Sequence, residues 1–215
     1  MKNENGNELK TLLMIINEID LTDGESAENL FSRFPVIQKE GIETLIISVN
    51  FLKSLDSEQK DKVSRRLKEN INLAAENHHF NSGSFAVADD FSKLPDLTSS
   101  NHISADSDNF FVLFILDLGG REELKLILSD FIKDCRKKKM SADEITQERI
   151  SAELRLPYEP DLILSRSKGT LTDFMLWQTA YSEYYFLEKD LKHLTDSDLK
   201  KAFESFKQRN RRYGI

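Results

Sequence analysis

The fold is indicated by one run of apolar residues, Phe110-Phe111-Val112-Leu113-Phe114-Ile115-Leu116. A strand that is buried on both faces of a parallel sheet shows a continuous apolar run, whereas a half-exposed strand alternates apolar and polar residues. We therefore interpret residues 110–116 as a central strand. The runs Leu12–Ile16 and Thr44–Val49 have the same character, and residues 84–88 and 162–164 are also predicted to be strands.

Helical patterns separate these apolar runs. Asp56 and Gln59 have the spacing of a capping box, and the apolar residues after them recur at helical intervals to about Asn77. Gly119-Gly120 opens a second long helix, with these residues expected to face the core: Leu124, Ile127, Leu128, Phe131 and Ile132. The alternation of strands and helices predicts a single α/β domain over residues 1–215. Ser, Asp and Asn residues within 92–109 predict a flexible surface loop.

Composition and charge argue against several classes of protein. The 215 residues carry a formal net charge of -7, which argues against a nucleic-acid binder, because such proteins present a basic face. Cys135 is the one cysteine, so the chain forms neither an internal disulfide nor a cysteine zinc site. No apolar run is long enough to span a bilayer, and residues 1–5 lack the apolar segment of a signal peptide. We therefore expect a cytoplasmic protein with no nucleic-acid partner.

Short motifs along most of the chain occur in the order found in one enzyme family. They are Gly41-Ile42-Glu43-Thr44-Leu45, Val87-Ala88-Asp89-Asp90-Phe91-Ser92-Lys93-Leu94-Pro95, Asp117-Leu118-Gly119-Gly120-Arg121, Pro160-Asp161-Leu162, Trp177-Gln178, Tyr181-Ser182-Glu183 and Arg212-Tyr213-Gly214. With this order and spacing, the chain resembles the cis-prenyltransferases, the family of undecaprenyl and dehydrodolichyl diphosphate synthases. The resemblance implies a six-stranded, mainly parallel sheet flanked by helices, in a protein that works as a dimer. It also implies condensation of isopentenyl diphosphate with an allylic diphosphate, with magnesium held by an aspartate after the first strand.

The residues that the resemblance assigns to the magnesium site and the neighbouring pocket are replaced in this chain. The family's metal-binding aspartate falls near Asn17, and neither the family's glycines nor its Arg-Trp pair follows. After the second strand the chain reads Asn50-Phe51-Leu52, where the family has polar residues that line the pocket. An allylic diphosphate ionises only when its leaving group is neutralised by cations. The replacements therefore predict that this chain binds no metal ion when alone.

The residues that hold isopentenyl diphosphate in the family are also replaced. Ser165 and Thr170 stand in the places of two arginines, and Thr172 stands in the place of a serine. Neither serine nor threonine supplies the bidentate positive charge of a guanidinium. Arg166 lies one step away, and strand alternation is expected to point it to the opposite face unless the register shifts. We therefore predict no catalytic residue in this chain.

The C-terminal Arg212-Tyr213-Gly214 matches a family motif, Arg-x-Gly, that reaches the diphosphate site of the other subunit in dimeric members. An arginine offers donors that match a diphosphate, and a glycine lets the backbone approach the anion closely. In heteromeric members, a catalytic subunit carries the aspartate and arginines, and a Nogo-B-receptor-type subunit carries only Arg-x-Gly. This chain is similar to the second kind of subunit. Arg212, Tyr213 and Gly214 are therefore expected to bind isopentenyl diphosphate and magnesium at the partner's site.

The resemblance thus implies a non-catalytic subunit of a heteromeric cis-prenyltransferase, paired with a catalytic subunit in a heterodimer or heterotetramer. The enzyme would make a long-chain polyprenyl diphosphate, with magnesium present only in the assembled complex. One alternative is a homodimeric enzyme whose site is rebuilt with Asp20, Asp23 and Arg166. The other is a degenerate relative that acts as a scaffold or prenyl-lipid binder. Because the product is a lipid, at most a peripheral membrane contact is expected.

Overall fold

Six strands form one parallel sheet in the computed structural model, which describes residues 8–80, 84–94, 110–166 and 174–209. The strands are β1 (Thr11–Asn17), β2 (Thr44–Asn50), β3 (Phe85–Ala88), β4 (Phe111–Leu116), β5 (Leu162–Ser165) and β6 (Glu183–Phe186). Their order across the sheet is β3-β4-β2-β1-β5-β6, and every pairing between neighbours is parallel. The prediction of an α/β domain with a six-stranded, mainly parallel sheet is confirmed.

Helices lie in the connections from β1 to β2, from β2 to β3 and from β4 to β5, and one follows β6. They are α1 (Gly24–Phe31), α2 (Phe34–Lys39), α3 (Ser57–Asn77), α4 (Gly120–Arg136), α5 (Gln147–Ala152) and α6 (Asp196–Lys207). In the described ranges, four short 3-10 segments add to them: Glu18–Asp20, Phe91–Lys93, Ala142–Glu144 and Leu191–His193. The predicted capping box is confirmed at the start of α3, where Asp56 and Gln59 each accept a hydrogen bond from the other's backbone N–H, at 2.8 and 2.9 Å.

The core lies on both faces of the sheet, because successive residues of β1 point to opposite sides. Leu12, Met14 and Ile16 belong to the larger cluster, which includes buried residues of α1, α2, α3 and α6. Leu13 and Ile15 belong to a second cluster on the other face. This double burial is the physical reason that the apolar runs of the sequence lack polar alternation.

An aromatic cluster fastens the first two helices to the sheet. The rings of Phe31 and Phe34 lie 4.6 Å apart between centroids, and Phe31 stacks on Phe114 of β4 at 5.9 Å. Phe80 and Phe110 complete the cluster by edge contacts to Phe34. Pairs of this kind stabilise a fold by roughly 0.5–1.5 kcal/mol beyond the area they bury.

Helix α4 differs from its prediction in the side chains that face the core. Ile127 and Phe131 are buried as predicted, but Leu128 is 45 % exposed and Ile132 is 51 % exposed. The inner face is completed by Glu123, whose carboxylate accepts the N–H of Arg155 at 2.8 Å. The stripe predicted from the sequence was therefore too wide on one flank.

The segment predicted as a flexible loop, 92–109, is described only at its beginning. There, Phe91–Lys93 form a 3-10 turn in which Ser92 and Lys93 are exposed, and Leu94 is fully buried. Residues 95–109 lie outside the described part of the chain. None of the helices in the described ranges is long and apolar enough to cross a bilayer.

Candidate functional site

The candidate site lies at the edge of the sheet where β1 and β5 end. The chain leaves β1 toward β2 on one side and leaves β5 toward β6 on the other. Neighbouring parallel strands whose connections diverge in this way leave a crevice at their carboxyl ends, where open α/β sheets usually bind their ligands. We call this place, formed by residues 17–20 and by Ser165 and Arg166, the switch-point site.

Asp20 and Arg166 form an ion pair at the switch-point site. The Asp20 side chain is only 4 % exposed, and its Oδ1 accepts a hydrogen bond from Nη1 of Arg166. Its other oxygen, Oδ2, accepts the backbone N–H of Asn17 at 3.0 Å. Charge-assisted bonds of this kind are short and strong. The carboxylate is therefore compensated from within the protein.

The direction of Arg166 departs from the simplest sequence expectation. Ser165 is the last residue of β5 and is buried, so Arg166 lies just beyond the strand and strand alternation no longer dictates where it points. Its side chain turns to the carboxyl end of β1 and is 32 % exposed. Thr170 and Thr172 lie outside the described residues.

The residues present at the switch-point site do not fit the magnesium ion that the family resemblance implies. Asn17 occupies the family's aspartate place and has an exposed, uncharged side chain. Asp20 is already bound to Arg166 and to a backbone amide. Within the described ranges, no group of three or more His, Cys, Asp or Glu side chains is arranged to hold a metal ion.

Two other acidic residues near the end of β1 have different environments. Asp23 caps helix α1, accepting the N–H of Ser26 at 2.6 Å, so it does not join Asp20 and Arg166. Glu18 is 6 % exposed, and its Oε2 has no hydrogen-bond partner among the described residues. No sequence pattern indicates that Glu18 is buried, because a charged residue after a strand is more often exposed.

A second charged cluster lies at the carboxyl ends of β3 and β4. Lys60 of α3 contacts Asp117, with Nζ 2.6 Å from Oδ2. Lys68, two turns further along α3, pairs with Asp89, which also accepts Lys93 Nζ at 2.9 Å. Sequence reasoning missed this cluster, although Lys60 and Lys68 are eight residues apart and so share one face of the helix.

Asp89 of the charged cluster has a lowered pKa. Burial raises the pKa of the Asp89 carboxyl, but hydrogen bonds from Lys68 and Lys93 outweigh it and lower that pKa to about 2. Asp89 is therefore ionised at any pH near neutrality. Its charge, like that of Asp20, is matched by cations of the same chain.

A comparison with protein families matches residues 39–214 to the family described as "Putative undecaprenyl diphosphate synthase". This match includes strands β2 to β6 and the Ser165 and Arg166 side of the switch-point site, but not β1 or residues 17–20. The chain belongs to this family. The resemblance in the motifs from Gly41 to Gly214 is thereby confirmed at the level of the undecaprenyl diphosphate synthase family.

Curated members of the undecaprenyl diphosphate synthase family align with part of the chain. An isoprenyl transferase of Streptococcus agalactiae is 36% identical over 109 residues, which are 47% of this chain and 43% of that protein. A tritrans,polycis-undecaprenyl-diphosphate synthase (geranylgeranyl-diphosphate specific) of Picrophilus torridus is 33% identical over 137 residues, 60% of this chain and 53% of that protein. The chain thus aligns with about half the length of these relatives.

Solved structures of similar fold extend over nearly the whole chain. The lavandulyl diphosphate synthase of Lavandula x intermedia, crystallised with dimethylallyl diphosphate, has a TM-score of 0.75 at 18% identity. The match covers 97% of this chain and 99% of that one. At this level of identity it supports the synthase fold alone.

Glu183, of the motif Tyr181-Ser182-Glu183, lies at the start of the edge strand β6. Its Oε2 accepts a hydrogen bond from Nη1 of Arg209 at 2.8 Å, and the same nitrogen donates to the carbonyl of Tyr184 at 2.7 Å. This pair ties the end of α6 to the sheet. Arg212, Tyr213 and Gly214, the predicted contacts to a partner's site, lie outside the described residues.

Proposed function

We propose that this chain is the non-catalytic subunit of a heteromeric cis-prenyltransferase. The assembled enzyme condenses isopentenyl diphosphate with an allylic diphosphate to make a long-chain polyprenyl diphosphate. Membership of the undecaprenyl diphosphate synthase family and the similarity to an isoprenyl transferase of Streptococcus agalactiae support the reaction class.

One observation carries the non-catalytic assignment: the acid that follows β1 is neutralised by an arginine of the same chain. Asp20 is buried, and both of its oxygens already accept hydrogen bonds. A magnesium ion prefers carboxylate oxygens that remain free to bind it. With Asn17 in place of the family's aspartate, the described residues hold no cluster of acids, histidines or cysteines to bind the magnesium ion that would neutralise a departing diphosphate.

The proposed contribution of this chain is its C-terminal motif. Arg212 would donate to the diphosphate of isopentenyl diphosphate in the partner's site, and Gly214 would allow the backbone to approach the same anion. Magnesium would be held by the catalytic partner in the complex. The contact between Arg209 and Glu183 supports this proposal, because it fixes the point from which the last residues of the chain start.

The alternative, a homodimeric enzyme with a rebuilt site, would use the same two residues, Asp20 and Arg166. Asp20 and Arg166 do meet at the switch-point site, as a rebuilt site would require, but Asp23 is engaged as a helix cap. The scaffold alternative differs from the subunit and homodimer hypotheses in one expected result. A scaffold would neither catalyse prenyl transfer nor change the activity of a catalytic homologue.

The experiment mixes the purified chain with magnesium, farnesyl diphosphate and isopentenyl diphosphate, with and without a catalytic homologue that carries the Asp-Gly-Asn-Gly-Arg-Trp motif. We expect product only with the homologue, and a loss of at least tenfold on Arg212→Ala. Arg211→Ala is the matched control, because it removes the same charge from the neighbouring position and should leave most activity. Turnover by the chain alone would favour the rebuilt homodimer, and no effect on the homologue would favour the scaffold.

A further inference from the structure

The ion pair at the switch-point site has the geometry of an occupied anion site. Asp20 approaches Arg166 through one oxygen, and a backbone N–H, from Asn17, binds the other. A guanidinium and a backbone amide that converge on oxygens of one anion are the donors that proteins use for phosphates. Here the anion is a side chain of the protein itself.

The position of this pair is the second reason to regard it as an occupied ligand site. It lies where the connections from β1 and β5 diverge, which is the usual ligand position in a parallel α/β sheet. Asp20 is 4 % exposed while Arg166 is 32 % exposed. The arginine thus remains accessible to solvent from one side, and its inner side is covered by the carboxylate.

We infer that Asp20 is an internal competitor for Arg166, which holds the switch-point site closed to diphosphates. The inference rests on the proposed function only for the choice of a diphosphate as the ligand. Replacing the competing carboxylate by a neutral amide should free the Arg166 guanidinium for an external anion, while the Asn17 N–H keeps an acceptor. The family's own arginine places are different, because one of them is taken here by the buried Ser165.

Asp190 also lies within electrostatic reach of Arg166. Asp190 has a lowered pKa, chiefly because of its hydrogen bond with His193, with a smaller effect from the charge of Arg166. Its carboxylate accepts the N–H of His193 at 3.0 Å, so it is engaged as a local cap. Asp20 is therefore the acid in direct contact with the guanidinium, and the one to replace.

The test is calorimetric titration of inorganic pyrophosphate into the full chain in magnesium-free buffer at low salt. Asp20→Asn keeps an oxygen that accepts the N–H of Asn17 but removes the charge that engages Arg166. We expect this variant to bind pyrophosphate at least tenfold more tightly than the wild-type chain. Adding Arg166→Gln should return the affinity to the wild-type level.

Asp23→Asn is the matched control. It changes the net charge by the same amount three residues away and keeps an acceptor for the Ser26 N–H. It should bind pyrophosphate as the wild-type chain does. An equal gain in pyrophosphate affinity for Asp23→Asn would mean that the change in net charge alone causes the effect, and would overturn the inference.

The wild-type background gives a second measurement that does not depend on the stability of Asp20→Asn. In the wild-type chain Asp20 already occupies the Arg166 guanidinium, so Arg166→Gln alone should leave the affinity for pyrophosphate unchanged within twofold. A tenfold loss would show that Asp20 does not compete, and a folded Asp20→Asn chain with wild-type affinity would also overturn the inference. The pyrophosphate titrations need no partner protein. A negative result in them would therefore overturn this inference without affecting the proposed function, which the activity assay with the catalytic homologue tests.

Discussion

The side-chain amide of Asn70 donates a hydrogen bond to the backbone carbonyl of Leu21, with Nδ2 2.8 Å from the oxygen. The same nitrogen also donates to the carbonyl of Thr22 at 3.0 Å. Asn70 is buried in the long helix α3, and the two carbonyls belong to the turn that follows Asp20. One amide thus holds the longest helix against the segment that positions the switch-point site.

Replacing this amide should be costly. Asn70→Leu keeps a similar volume but leaves the carbonyls of Leu21 and Thr22 without their buried donor, which lowers the free energy of unfolding by about 1–3 kcal/mol. Urea denaturation measures the difference. Asn72→Leu is the control, because Asn72 is exposed on the same helix, and it should change stability by less than about 0.5 kcal/mol. Equal losses in the two variants would contradict the assigned role of Asn70.

The charged cluster at β3 predicts a pH-dependent contribution to stability. The pKa of Asp89 is lowered from 3.8 to about 2 in the folded chain, so its contribution is complete above about pH 5 and is lost as the pH falls through about 2. At pH 6, Asp89→Asn should lower the free energy of unfolding by roughly 1 kcal/mol, after allowance for solvent screening.

The same measurement near pH 2 supplies the internal control for Asp89. There the wild-type carboxyl becomes protonated, and the difference between wild type and Asp89→Asn should shrink toward zero. A difference that stays constant from pH 6 to pH 2 would mean that packing, and not charge, makes the amide unfavourable.

Five of the six strands were predicted from local sequence patterns, but β6 and the ion pairs were not. For the ion pairs, the reason is the distance along the chain between the two partners. Strand β4 is apolar at every position because both of its faces are buried, so its signal is local. Asp20 and Arg166 are 146 residues apart, and Lys60 and Asp117 are 57 apart. No local pattern indicates which of many acids and bases will meet when the strands align.

The motifs of the sequence indicated the family but left the roles of single residues open. Asp161 of the Pro-Asp-Leu motif is an example, because its Oδ2 accepts the backbone N–H groups of Lys10 and Thr11 at 2.8 and 3.0 Å. It therefore joins the start of β1 to the start of β5. The position of Asp161 could be matched from sequence, but this partner depends on the sheet order.

The backbone conformations of Gly41 and Gly24 predict opposite effects of a glycine-to-alanine substitution on stability. Gly41 has φ +84°, in the left-handed region, where a Cβ is strained, so Gly41→Ala should lower stability by about 1–2 kcal/mol. Gly24 begins α1 and has no heavy atom within 4 Å of an added Cβ, so Gly24→Ala should be neutral or stabilising by up to about 1 kcal/mol. Thermal unfolding of the two variants checks the sign, and a loss of stability at both positions would contradict the conformational argument.

The corrected packing of α4 predicts a sharp contrast between adjacent residues. Ile127 is 3 % exposed, so Ile127→Ala leaves a cavity and should lower the free energy of unfolding by about 2–5 kcal/mol. Leu128 is 45 % exposed, and Leu128→Ala should cost less than about 1 kcal/mol because water already reaches much of its side chain. Chemical denaturation of both variants at one protein concentration measures the contrast. A loss above 2 kcal/mol for Leu128→Ala would place this side chain in the core, as the helical stripe of the sequence predicted.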